Sequence, residues 1–208
     1  MEALDQISTT LALTMGLAWA SGINLYATLF TLGYLANTGN LDLPPDLVIV
    51  ANPLVMSAAG LMYCVEFFAD KIPGIDTGWD SIHTFIRIPA GAMLAAGAIG
   101  DINPAIEVAA AILGGGLAAG THATKAGSRV LINTSPEPFT NWTASVGEDI
   151  VVIGGVWACL NHPFLFLVAL GLFIVLMIWL LPKIWKGIKK VFRFIINFFQ
   201  KKEDAPTA

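Results

Sequence analysis

The chain has 208 residues, 56% of them apolar and 12% charged, with a formal net charge of −4. Soluble domains carry about a quarter charged residues, so composition excludes an ordinary soluble fold, and a mean hydropathy of +0.72 assigns the chain to a membrane. The basic residues form no nucleic-acid-binding patch, because their one cluster has the pattern of an interfacial helix.

A spanning helix needs about 20 mostly apolar residues, and six segments are expected in chain order: Thr10 to Ala36, Leu47 to Ala69 after the Pro44-Pro45 turn, Thr84 to Gly100 with Pro89 inside, Pro104 to Lys125, Phe139 to Leu160, and Pro163 to Leu181. The expected class is therefore all-α, a polytopic bundle of about six transmembrane helices. The acidic start, Met1-Glu2-Ala3-Leu4-Asp5, lacks the positive region of a signal peptide, so the first apolar segment is expected to be retained. Cys64 and Cys159 fall inside spans and are expected as unpaired apolar residues.

Beyond the sixth segment, Ile184, Ile188, Val191, Phe192, Ile195 and Phe199 recur at helical spacing among Lys186, Lys189, Lys190 and Arg193. That is the pattern of a basic amphipathic helix lying on anionic lipid. Three units are expected: a transmembrane domain over 1–182, an interfacial helix over 183–200 and a disordered tail over 201–208. Seven of the eleven basic residues follow Pro182, and the other four are Lys71, Arg87, Lys125 and Arg129. The connections near Asn37 to Asp46, Asp101 and Asn161 hold no Lys or Arg. Cytoplasmic loops attract Lys and Arg, so both termini are expected in the cytoplasm, with the bacterial inner membrane as location.

Spacing offers a 3+3 inverted repeat with halves near 10–100 and 104–181. Gly16, Gly22 and Asn24 pair with Gly114, Gly120 and His122, Asn52 with Asn141, and Pro44-Pro45 with Pro136 and Pro138. Inverted repeats place substrate sites near the midplane at interrupted helices.

Polar groups inside these spans are the candidates for chemistry. Glu148 and Asp149 lie halfway along the fifth span, and a carboxylate in hydrocarbon needs partners or water. Asn24 and Tyr26 sit mid-way in the first span beside Gly22, and His122 lies nearer the expected cytoplasmic end of the fourth. These five are the candidate substrate- or ion-binding set. A denser run holds Glu66, Asp70, Lys71, Asp76, Asp80, His83 and Arg87, expected to line the inner mouth as a gate. Glu66 and Asp70 share a helix face, and Asp76, Asp80, His83 and Arg87 follow helical spacing. Carboxylates with a histidine suit a divalent metal, while salt bridges with Lys71 and Arg87 are the structural alternative. Lys125 and Arg129 are available to neutralise an acid. Gly114-Gly115-Gly116 lacks the lysine of a phosphate loop and fits close helix packing. The glycosylation patterns Asn133-Thr134-Ser135 and Asn141-Trp142-Thr143 are read as accidental.

The strings Ala20-Ser21-Gly22-Ile23-Asn24-Leu25-Tyr26-Ala27-Thr28 and Leu43-Pro44-Pro45 resemble a family of small membrane proteins. So does Glu66-Phe67-Phe68-Ala69-Asp70-Lys71-Ile72-Pro73 with Asp76, Asp80, His83, Thr84 and Arg87. That family is catalogued as domain of unknown function 4126. The resemblance covers Leu11 to Leu160 and implies a bacterial-type integral membrane protein, with no activity or catalytic residue to carry over.

Two functions compete. One is a transporter or channel for a cation or a proton-coupled small solute. The other is a scaffold that forms a homodimer through its glycine-rich helices and tethers partners at the inner leaflet. An enzyme using His122 with Ser128, or a metal at Asp76, Asp80 and His83, lacks a complete spacing signature. No catalytic residue and no cofactor is expected, and the identity of any metal is left open. The expected partners are the bilayer and anionic inner-leaflet lipids.

Overall fold

The computed structural model describes residues 2–100, 103–134 and 138–203, side chains at 2, 138, 195, 198, 199 and 201–203 apart. Its elements are α1 (Glu2–Asn37), a 3-10 helix (Pro45–Ala51), α2 (Pro53–Ala69), α3 (Ile75–Ile99), α4 (Pro104–Ile132), α5 (Pro138–Asn161) and α6 (Pro163–Glu203). No strand occurs among the described residues. Helix starts are encoded locally. Asn52 and Asn103 each precede a proline and accept a hydrogen bond from the backbone N–H two residues on, at Leu54 and Ala105. An asparagine cap followed by proline at the first helical position satisfies a free donor and presets φ. Gly74, at φ +88°, makes the turn into α3 that a side chain would oppose.

Helices α2 to α6 run alternately up and down. Asp76, Asn133 and Asn141 meet at one end, where α3 begins, α4 finishes and α5 begins. We call this the charged end. Small residues let the helices close: Gly91 of α3 abuts Ala118 of α4 and Ser21 of α1, and Gly114 of α4 abuts Ala95 of α3. Without a hydrophobic force between helices in lipid, such close approach is the main source of attraction.

The first helix does not cross. At Asn24 the backbone leaves helical geometry, with φ −146° and ψ 97°. Before the break, Gly16 packs on Cys159 and Phe166, and Cys159 Sγ donates to the Ala12 carbonyl. After it, Phe30 and Tyr34 share a cleft with Ile153 and Trp157. Gly33 then meets Val50 and Met56, and Asn37 donates to the Ala51 carbonyl. Both arms of α1 therefore finish at the end opposite the charged one, and Asn24 is the apex of a helical hairpin. Gly22 serves a different purpose from the break. A methyl there would lie 2.6 Å from the Ala118 carbonyl oxygen, so it permits contact between α1 and α4.

Four helices are long and apolar enough to cross a membrane: α3, α4, α5 and α6. The 3-10 helix and α2, bent by 65° at the break between them, add a fifth if the pair counts as one span. Their outer faces carry large exposed apolar side chains, among them Leu61, Phe85, Met93, Phe164 and Leu172. The composition of these helices is that of an integral membrane protein. The expectation of six spans is thus corrected to four or five, because a polar break folds α1 back.

The repeat also changes. Helix α4 runs unbroken through His122 where α1 turns at Asn24, and Asn52 caps a helix while Asn141 binds an arginine. Pro136, Asp101 and the tail from residue 204 lie outside the described residues. The amphipathic segment is not a separate element: α6 continues through Pro182 to Glu203, past the expected helix end at Gln200. Its first part packs on α4, with Ile184 against Gly127 and Gly187 against Leu131.

Candidate functional site: a buried ionic network

Three cations from α3 and α4 meet four carboxylates from α2, α3 and α5. Arg87 binds Glu66 at 2.5 Å and Asp80 at 3.2 Å. Lys125 reaches Asp70 at 3.0 Å, Glu66 at 3.2 Å, Glu148 at 3.5 Å and Asp80 at 3.9 Å. Arg129 takes Glu148 with two nitrogens, at 2.8 and 3.1 Å, and lies 3.6 Å from Asp70. Arg87 and Arg129 are fully buried, as is Glu66. Removing this many ions from water costs several kcal/mol each, repaid only when geometry and hydrogen bonds are good. Arginine's fork suits the shared carboxylates, and lysine's compact ammonium suits the centre.

Hydrogen bonds extend the network both ways. Toward the charged end, Arg129 donates to the carbonyl and side-chain oxygens of Asn141, and Asn141 donates to Asn133. Asn133 donates to both oxygens of Asp76. Asp76 also accepts from Gly74 and Thr77 N–H groups at the start of α3, where the helix dipole favours an anion. Toward the middle, Arg87 donates to His122 Nδ1 at 3.2 Å, and His122 Nε2 faces the Asp80 carbonyl and Thr84. Accepting at Nδ1 and donating at Nε2 defines one neutral tautomer of His122. His83 has the opposite one: Nδ1 donates to the Trp79 carbonyl and Nε2 accepts from Tyr26, 2.9 Å away.

The apex of α1 closes the network from the other side. Asn24 Oδ1 accepts from the Ala27 N–H, so it caps the second arm. Its Nδ2 donates to Asp149 Oδ1 at 3.0 Å. Asp149 Oδ2 is buried and makes no close hydrogen bond among the described residues, although the Tyr63 hydroxyl lies beside this carboxylate. Near it is Lys71, whose ammonium binds the Phe67 carbonyl and Ser145 and sits 2.9 Å from the centre of the Phe67 ring. Burial holds the Lys71 amine below its usual basicity, opposed by the charges of Asp149 and Asp70.

All twelve residues singled out in the sequence thus lie in or against one assembly. The separate midplane set and inner-mouth set join through Lys125, which touches both Glu148 and the acids of α2 and α3. Glu148 and Asp149 turn to different partners, Glu148 to Arg129 and Asp149 to Asn24. Lys71, Arg87, Lys125 and Arg129, counted above as loop charges, are buried inside the bundle. Their use as topology signals therefore fails, and only the seven basic residues after Pro182 keep that role. No three His, Cys, Asp or Glu side chains among the described residues come together as a metal site. Cys64 and Cys159 are both free. Asn133, read as a glycosylation pattern, and Asn141, read as that and as the repeat counterpart of Asn52, are structural members of the network. The signal was present: Asn141, Ser145 and Asp149 recur at helical spacing on α5.

A helical membrane bundle with four or five candidate spans, a first helix broken at Asn24 and a buried ionic cluster is the class these features define. The family model for the domain of unknown function DUF4126 matches residues 11–183, and the chain belongs to that family. No curated protein and no solved structure matches it.

Proposed function

We propose that the protein is a small transporter or channel for a cation or a proton-coupled small solute, with Asp149 at the apex of α1 as its central site. The observation that carries this reading is the junction of a broken helix with a buried acid. A helix interrupted in mid-membrane presents free backbone groups and half-helix dipoles at one depth, which is how many transporters build ion and substrate sites. Asp149 has one oxygen held by Asn24, a second that is buried without a close hydrogen bond, and the Tyr63 hydroxyl beside it. An intramembrane acid held this way is expensive and marks a pathway by default. The ionic network leads from that point to the charged end through Lys125 and Arg129, and supplies the inner route. The seven basic residues after Pro182 support placing that end in the cytoplasm, in a bacterial inner membrane, with the α1 hairpin entering from the opposite side.

Purified protein in liposomes tests this. Flux of protons, sodium, potassium and small organic cations is followed for the wild type, Asp149→Asn and Glu148→Gln. Asparagine keeps the shape at 149 and removes the charge, so flux of the transported species falls at least tenfold while the protein stays folded. Equal flux in all three, or none in any, overturns the reading. The scaffold alternative draws on α6, whose deletion from Lys183 onward would then abolish function. It is the weaker reading, because Ile184 and Gly187 of that segment already face α4.

A further inference from the structure

A groove of about 430 Å³ lies between α3, α4 and the extension of α6. Its α4 and α6 walls are apolar, formed chiefly by Val130, Ile184, Trp185 and Ile188, while α3 contributes Thr77, Asp80, Ser81 and Thr84. The volume falls within the ~300–1,000 Å³ of small-molecule sites. Asp80 is only 1% exposed, and its Oδ2 has no protein partner. Its other oxygen belongs to the network through Arg87.

Charge points the same way. The ion-paired cluster holds four carboxylates, Glu66, Asp70, Asp80 and Glu148, against three cations, Arg87, Lys125 and Arg129. Within that ion-paired set one negative charge is in surplus. Of those four acids only Asp80 lines this groove. A buried surplus charge is costly unless neutralised, and a cation arriving along an apolar wall would neutralise it.

We infer that the α3–α4–α6 groove binds an amphipathic monovalent organic cation, with its ammonium at Asp80 and its apolar part along Val130, Ile184, Trp185 and Ile188. This names the substrate class of the proposed transporter and rests on that reading for its purpose. The occupant must be cationic because, among the described residues, Asp80 is the one charged side chain that lines the groove. It must carry an apolar body because the α4 and α6 walls offer little else.

Equilibrium binding of octylammonium to the full chain in nanodiscs tests the inference, with n-octanol and octanoate as neutral and anionic competitors. Saturable binding is expected, weakened at least tenfold by Asp80→Asn and by Ala126→Phe, which fills the groove and leaves every charge in place. Neither competitor displaces the amine. Failure of octylammonium to bind, wild-type binding by Ala126→Phe, or displacement by octanol as strong as by the amine itself overturns the inference. If Asp80→Asn does not fold, Ala126→Phe and the competitors decide. Should octylammonium not bind while Asp149→Asn still abolishes flux, the cargo assignment falls and the transport reading stands.

Discussion

The two ends of this bundle are held together by different physics. At the end where α1 opens, the interior is apolar. Leu17, Leu32, Val152 and Val156 are fully or almost fully buried, and Trp19 meets Phe166 and Phe173 edge to face at 5.8 and 6.0 Å. Such aromatic pairs contribute about 0.5–1.5 kcal/mol beyond simple burial. At the charged end, the interior is a lattice of ion pairs and asparagines. Packed apolar side chains of similar volume would stabilise a fold as well as, or better than, buried ion pairs. The contrast teaches which half is built for stability alone. The apolar half needs no further explanation, whereas the ionic half carries a desolvation cost that a merely structural bundle would avoid.

The largest effect expected is all-or-none. With Cys64 and Cys159 replaced by serine, single cysteines at Ser8 and Gln200 should be labelled from opposite faces of the membrane. Labelling of both from one face breaks the folded-back α1 and with it the assignment of ends. Next, Arg129→Ala takes from Glu148 its two-nitrogen partner and from Asn141 its donor, leaves both Glu148 and Asp70 to Lys125, and should cost about 3–5 kcal/mol in unfolding of the detergent-solubilised protein. Replacing Arg129 and Glu148 together by methionine should recover part of that loss. No recovery would mean the ionic half is structural after all.

Smaller again, Gly91→Leu forces α3 away from Ala118 and Ser21, at about 1–3 kcal/mol by the same measurement. An unchanged unfolding midpoint would show that the α1–α3–α4 contact is looser than its geometry. Smallest is Tyr26→Phe, which removes one hydrogen bond to His83 and should cost about 0.5–1.5 kcal/mol. A cost as large as that of Arg129→Ala would move Tyr26 into the centre of the network.

Much of the site was legible in the residues. An acid in an apolar run has to find company, so Glu148 and Asp149 stood out. The helical spacing of Asp76, Asp80, His83 and Arg87 put them on one face, and all four are buried. The spans α3 to α6 followed from hydropathy. The route of α1 did not, because a 36-residue apolar helix and a hairpin of two arms have the same composition. One residue's backbone dihedrals separate them, and those depend on Asn24 finding Asp149 across the bundle. The basic residues misled for a related reason: a lysine or arginine near a helix end has the same signature whether it faces water or an acid.

Hydropathy and polar content, properties that add residue by residue, were enough to establish a helical membrane protein with charges that must be paired. Which charge meets which is a different kind of information. Lys125 acts as hub because α4 brings it within 4 Å of acids on α2, α3 and α5. Coulomb attraction falls with distance and rises as water is excluded, so such partnerships exist only once the helices have packed.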